Sequence, residues 1–269
     1  MKYAKPYEGT QAVLRALSLL KTFSDDKPVW SLSELSNELK LNKTTVYRLL
    51  SALESEGLIR RSANSETYVL GPEMVILGAR AMRSYSLREI CKAELKNLAE
   101  ASRETATLEI LAGKDVLILD ESRGAHLIGS VQSIGTRWPA FATSTGKSIL
   151  AHLPQEQVAP ILKGSMPQYT PKTITDPDRL RKEFVEIKRR GYAVADEALE
   201  LGFRAVGSPL FQHDGEVVAA ISVGGPAARL TLERLPEFGK LVSRMAQQIS
   251  SRLGYDASMD PTRRQLRQP

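Results

Sequence analysis

The sequence is poor in the residues that hold small proteins together by covalent or metal links. Its 269 residues include one cysteine and three histidines, and aromatic residues make up 6%. A lone cysteine, Cys91, closes no internal disulfide, which fits a reducing, cytoplasmic setting. His126, His152 and His213 have no ligand spacing among themselves or with Cys91, so neither a metal nor another cofactor is expected. No apolar run approaches the roughly 20 residues that span a bilayer, and the segment Met1-Lys2-Tyr3-Ala4-Lys5-Pro6 lacks the apolar stretch of a secretion signal. A membrane partner is therefore not expected.

What remains is ordinary globular material, 42% hydrophobic and 25% charged, in a length suited to two domains. The formal net charge of +6 and a pI near 9.4 permit nucleic-acid binding without demanding it. Residues 1–71 carry ten Lys and Arg against eight Asp and Glu. Any case for nucleic acid must rest on where charge is placed.

Residues 10–71 read as a winged helix-turn-helix. Thr10 opens a helix whose Val13, Leu14, Leu17, Leu20 and Phe23 form one apolar stripe, expected to be buried. Ser31-Leu32-Ser33-Glu34 has the form of a capping box, ahead of a short amphipathic helix with Leu32, Leu35 and Leu39 inward. After a tight turn at Lys40-Leu41, Asn42 caps a third helix to about Ser55, with Gly57 beyond its end. Val46, Leu49, Leu50 and Leu53 repeat at i, i+3, i+4 and i+7 and so face a core. Lys43, Thr44, Thr45, Tyr47, Arg48 and Ser51 occupy the other side. Donors and hydroxyls at the start of a second packed helix suit the base edges and phosphates of a major groove. Two short strands, 58–61 and 67–70, then form a hairpin whose Arg60 and Arg61 are placed for the backbone or the minor groove. The alternative for the same residues is a three-helix bundle with a solvated charged face.

Arg15-Ala16-Leu17, Leu32-Ser33-Glu34-Leu35 and the run from Lys43-Thr44-Thr45-Val46-Tyr47-Arg48 to Glu54 resemble the isocitrate-lyase-regulator (IclR) family of transcription factors, and the likeness extends over nearly the whole chain. It implies a homodimer, able to assemble further into a homotetramer, on double-stranded operator DNA, with repression as the favoured mode; twofold symmetry then predicts a pseudo-palindromic operator.

Residues 72–103 read as a helical linker without Pro or Gly clusters, and Cys91 on its apolar stripe reads as a small buried hydrophobe. The resemblance implies that this linker also takes part in dimer contacts.

Residues 104–254 alternate strand and helix. Strands are expected at 105–111, 116–120, 127–131, 191–195, 203–211 and 216–223, helices at about 145–153, 155–162, 178–190 and 231–253. Antiparallel hairpins with segregated helices argue an α+β fold. Residues 255–269, with Arg263, Arg264 and Arg267, read as a disordered tail. Ser144-Thr145-Gly146-Lys147-Ser148 imitates the end of a phosphate-binding loop, but Phe141 stands where its first glycine belongs. It also reads S-x-x-K, without the partner motifs of serine acyl-enzymes. Asp196, Glu197 and Glu200 are acid/base candidates with no nucleophile or metal ligand near them in sequence. An enzyme is therefore not expected.

Thr143, Ser144, Thr145, Gly146 and Lys147 instead place amides and hydroxyls at a helix start, a setting for a carboxylate; plain helix capping is the bland alternative. The stretches 142–151, 191–202 and 219–226 resemble the effector-domain segments of the same family. The resemblance implies a GAF-like antiparallel sheet with a small organic-acid effector held by Ser144, Thr145, Asp196, Ala205, Ser222 and Gly224. Ala205 and Gly224 stand where cysteine and serine are frequent, which points to a larger or less polar ligand. Two rival readings are a metabolic enzyme acting on a small organic acid and a winged-helix adaptor that binds protein.

Overall fold

The computed structural model describes residues 9–24, 26–62, 66–84, 86–126 and 134–256. The expected strand at 127–131 and the tail beyond 256 lie outside them. The chain divides into two compact units, Met1–Tyr85 and Ser86–Pro269.

The first unit holds α1 (Gln11–Leu20), β1 (Trp30–Ser31), α2 (Leu32–Leu39), α3 (Lys43–Ser55), β2 (Ile59–Arg61), β3 (Thr67–Leu70) and α4 (Pro72–Ser84). The capping box forms: the Glu34 amide donates to Ser31 Oγ, and the Ser31 amide donates to Glu34 Oε2 at 2.8 Å. The Ser31 amide, Lys27 at 2.9 Å and the Ser31 hydroxyl at 2.8 Å, all donating to it, hold the Glu34 carboxyl down at about 2. The turn into α3 passes through Lys40 in the left-handed region (φ 52°), and Asn42 Oδ1 accepts from the Thr45 amide at 2.8 Å. Leu35 of α2 and Val46, Leu50 and Leu53 of α3 close a core with Leu19, Phe23, Trp30, Ile59 and Tyr68.

Two features depart from the sequence reading. The hairpin is a three-stranded sheet in the order β1-β3-β2, because Trp30 and Ser31 pair with Tyr68 and Thr67. The α1 stripe is not buried as a whole. Leu19 and Phe23 enter the core, with Ala16 and Leu20 at its margin. Val13 and Leu17, on another side of the helix, are 61% and 46% exposed. The inward side is the one that meets α3 and α2, and among the described residues Val13, Leu14 and Leu17 stay exposed.

The second unit opens with α5 (Ser86–Ser102), followed by β4 (Thr105–Ala112), β5 (Asp115–Ser122), β6 (Arg137–Pro139), α6 (Ser144–His152), α7 (Gln155–Lys163), α8 (Pro177–Arg190), β7 (Ala193–Asp196), β8 (Phe203–Phe211), β9 (Val217–Pro226) and α9 (Leu235–Arg252). The six strands form one antiparallel sheet, β6-β5-β4-β9-β8-β7. Successive side chains of a strand point to opposite faces, and each face is roofed by different helices. Ala106, Leu108, Val206, Leu210, Ala219, Ile221 and Val223 pack with α5 and α9. Val116, Ala193 and Ala220 pack with α6, α7 and α8. Helix α5, read from sequence as linker, is thus part of this unit's core: Cys91, Leu95, Leu98 and Ala99 are all buried there. Burial pushes the Cys91 thiol up to about 12, so it behaves as a small hydrophobe. The short strand β6, pairing with β5 from Arg137 to Pro139, has no counterpart in the sequence reading.

Candidate nucleic-acid interface and small-molecule site

In the first unit, the residues singled out on α3 lie where the helix period puts them. Lys43, Thr44, Tyr47, Arg48 and Ser51 are exposed and Thr45 is half-buried, while Val46 and Leu50 are fully buried behind them. The helix start is capped by Asn42, so its first turn offers an ordered row of donors. Arg60 on β2 is exposed. Arg61 is exposed too but engaged within the unit. Its amide donates to Glu54 Oε1, its Nε lies 3.5 Å from Glu54 Oε2, and its guanidinium stands 5.4 Å from the Tyr68 ring. A guanidinium already facing a carboxylate has less free charge to offer a phosphate than Arg60 has.

In the second unit, the sheet face under α6, α7 and α8 carries a polar patch beneath the start of α6. Thr143 caps that helix, its Oγ1 accepting from the Gly146 amide at 3.0 Å. The cap leaves the Ser144 and Thr145 amides, the first two of the helix, for another acceptor. Two glycines permit the seating. A Cβ on Gly146 would lie 2.2 Å from the Ala140 carbonyl oxygen, and one on Gly207 of β8 would lie 2.9 Å from the Ser144 carbonyl carbon. The helix start therefore rests directly on strand backbone.

Strand register brings the remaining residues to this face. Thr105 pairs with Gly224, Thr107 with Ser222, and Ala205 with Gly224; directly opposed residues share a face. The hydroxyls of Thr107 and Ser222 meet at 2.7 Å. The Phe203 ring lies over Gly224, where a Cβ would come within 2.7 Å of it. The volume a serine side chain would take at that position is filled by this aromatic ring.

Beside them stands Glu109, which the sequence reading did not single out. The residue is 4% exposed, and its carboxyl accepts from Thr107 Oγ1 at 2.7 Å and Thr145 Oγ1 at 2.5 Å. Burial pushes its pKa up and the two hydroxyls pull it back. The signal was present in Thr105-Ala106-Thr107-Leu108-Glu109: strict polar/apolar alternation in a strand roofed on both faces marks a polar face under a helix.

Asp196 is placed differently from its neighbours in the expected set. It pairs in register with Arg204, not with Ala205, and Arg204 Nε donates to its Oδ1 at 2.5 Å. Lys172 holds both Asp196, at 3.2 Å, and Glu197, at 2.6 Å, and Arg204 also reaches Glu197 at 3.1 Å. Thr170 and Thr173 donate to the carbonyls of Glu197 and Ala198, which ties the α7–α8 connection to this edge. Two of the three carboxylates weighed as acid/base groups are thus occupied in ion pairs. Lys147, buried in α6, donates to the Val194 carbonyl at 2.5 Å, and burial lowers it to about 8. No group of His, Cys, Asp and Glu able to hold a metal occurs among the described residues.

A capped second helix with a polar outward side, a core-forming inward side and a winged sheet behind it define a helix-turn-helix protein. Comparison with known proteins gives the family. Residues 12–63 match the IclR helix-turn-helix domain, and residues 79–251 match the C-terminal domain of bacterial IclR transcriptional regulators. The chain belongs to the IclR family. The transcriptional repressor IclR of Escherichia coli K12 is 31% identical over 247 residues, 91% of this chain and 90% of that one. The Thermotoga maritima IclR structure superposes with a TM-score of 0.71 at 30% identity, covering 91% of this chain and 100% of its own. An IclR homolog from Microbacterium hydrocarbonoxydans complexed with 4-hydroxybenzoate has a TM-score of 0.78 at 23% identity, covering 90% and 99%. At that identity it attests the fold alone.

Proposed function

We propose that this protein is a sequence-specific repressor that binds operator DNA as a homodimer, itself able to pair into a tetramer, and that releases or regrips it when a small organic acid occupies the second unit. The observation that carries the DNA half is the exposed start of α3, with Lys43, Thr44, Tyr47 and Arg48 outward and Val46 and Leu50 fully buried. Tyr47 and Arg48 read base edges; Lys43, Thr44, Thr45, Ser51 and Arg60 hold phosphates or sugars, and Arg61 chiefly braces the wing. The two-unit organisation, matched to both family domains, supports the coupling.

The exposed strip Val13, Leu14 and Leu17 supports self-association, since a second copy's strip would cover it. Two copies related by a twofold axis require half-sites one or more helical turns apart, each turn roughly 34 Å. Among the described residues no helix is long and apolar enough to cross a membrane. The role is regulatory rather than enzymatic, and its place is the cytoplasm, where operator DNA lies.

The effector site is the patch of Thr143, Ser144, Thr145, Gly146, Ala205, Ser222 and Gly224; Asp196, held by Arg204 and Lys172 on the other face of the strand, acts at most by bracing its edge. Free amides at a helix start favour a carboxylate. Only a ligand that binds one arrangement of the protein better than another shifts DNA affinity.

The test is footprinting of the full chain on the DNA flanking its own gene, with and without organic acids. A protected pseudo-palindrome whose occupancy an acid alters is the expected result. Protection without sequence preference contradicts the DNA assignment, and protection indifferent to every acid contradicts the effector assignment.

A further inference from the structure

The effector patch contains a feature that a plain carboxylate site does not need, the buried carboxyl of Glu109. From the side chains around it we infer that Glu109 is a specificity-determining residue, and that the effector is an organic acid carrying a hydrogen-bond donor next to its carboxylate: a 2-hydroxy or 2-amino acid rather than a 2-oxo acid. The inference rests on the effector assignment above and narrows it.

Glu109 projects from β4 onto the same face as Thr107 and is joined through Thr145 to the first turn of α6. Its Oε1 takes one hydroxyl and its Oε2 takes another. An ionised carboxylate has acceptor sites for about four donors, so the two threonines use half of them. Among the described residues no ion pair reaches it, and burial alone disfavours its charge. A buried acceptor in this condition gains most from further donors and most from a cation. The hydroxyl chain has one polarity: Thr107 donates to Glu109, which leaves Ser222 to donate to Thr107. All three hydroxyls are thus oriented by the carboxylate. An effector group set against Glu109 must likewise donate.

The ligand carboxylate has a separate place. The Ser144 and Thr145 amides lie at the helix start, and Thr145 links that start to Glu109. A carboxylate on the amides and a donor on the adjacent carbon satisfy both ends within one small molecule. A 2-oxo oxygen in the same position would face Glu109 with lone pair against lone pair. A site built on hydrogen bonds rejects the analogue that cannot make them more strongly than one built on shape.

The experiment is calorimetric titration of the full chain with matched trios on one carbon skeleton: pyruvate, lactate and alanine; phenylpyruvate, 3-phenyllactate and phenylalanine; with benzoate and 4-hydroxybenzoate as acids of another shape. We expect a donor-bearing acid to bind at least about tenfold more tightly than its 2-oxo partner. In Glu109→Gln, whose amide both donates and accepts, that preference should vanish or invert. In Glu109→Asp, which keeps the charge, it should persist. A larger loss for the amino than for the hydroxy acid in Glu109→Gln identifies an ammonium as the donor; equal losses identify a hydroxyl. Thermal unfolding of each variant establishes that it is folded. Binding of the 2-oxo acid as tightly as its partners overturns the inference. So does a preference unchanged in Glu109→Gln, or binding confined to the benzoates. Binding of no acid at all overturns the effector assignment itself.

Discussion

At the scale of single residues, burial sets what each polar group can do. Lys147, inside α6, is spent on a strand carbonyl. Burial pushes the Glu109 carboxyl up, and the Thr145 and Thr107 hydroxyls pull it back. Because its folded pKa lies above the unfolded value of 4.5, the native state holds this proton more tightly. Its stabilising contribution is complete below that value and falls away as pH rises through the folded pKa. Glu109→Gln removes this dependence, so the variant should gain thermal stability relative to the parent as pH rises above the unfolded value of 4.5. Calorimetry of both across that range checks it, and a gap that stays constant contradicts it. On α3, Arg48→Ala should weaken operator binding by about 1–3 kcal/mol if Arg48 reads a base. Titration on the operator and on a scrambled duplex distinguishes this from loss of a phosphate contact, which would weaken both alike.

At the scale of elements, the capping box holds α2 in place behind α3. Glu34 is lowered to about 2 by the Ser31 backbone bond, then by Lys27 and the Ser31 hydroxyl. A depressed carboxyl stabilises above its unfolded value of 4.5, and the benefit is lost as pH falls toward 2. Ser31→Ala should cost about 1 kcal/mol at neutral pH, and it should weaken the acid dependence of the first unit's unfolding only in part, since the Ser31 amide and Lys27 remain on Glu34. Denaturant melts followed by Trp30 fluorescence in a Trp138→Phe background report on this unit. Helix period alone made α2 and α3 legible, since one side of each is core. The same rule misjudged α1, because Val13, Leu14 and Leu17 are apolar without being buried within the unit. A period reveals that a stripe exists and is silent on which partner covers it. β1 was illegible for a related reason: two residues carry no period, and only the pairing of Trp30 with Tyr68 makes them a strand.

At the scale of the whole molecule, each unit has cores of its own, one around Leu35 and Val46, the others on the two faces of the six-stranded sheet. A fragment beginning at Ser86 should therefore fold and bind effector without the first unit, measured by its own cooperative thermal transition and by acid titration. A fragment starting at Thr105 lacks α5, and with it Cys91, Leu95 and Leu98; it should not fold stably. Self-association has its own test. Leu17→Glu puts a charge on the exposed α1 strip. It should shift sedimentation toward the monomer and weaken operator binding while leaving effector binding intact.

The amino-acid order by itself determined most of the local elements and the sidedness of α2, α3 and the longer strands. The cap at Ser31, the turn at Lys40-Leu41, the two-faced α3 and the strand alternation follow from short-range hydrogen bonding and from the spacing of side chains along helix and strand. Tertiary structure alone decided which polar residues come together. Glu109, Thr145 and Ser222 are far apart in the chain and meet because β4 pairs with β9 and because Gly207 lets α6 rest on the sheet. It also decided that Asp196 faces Arg204. Register and close approach arise from the packing of whole elements, and no local run of residues encodes them.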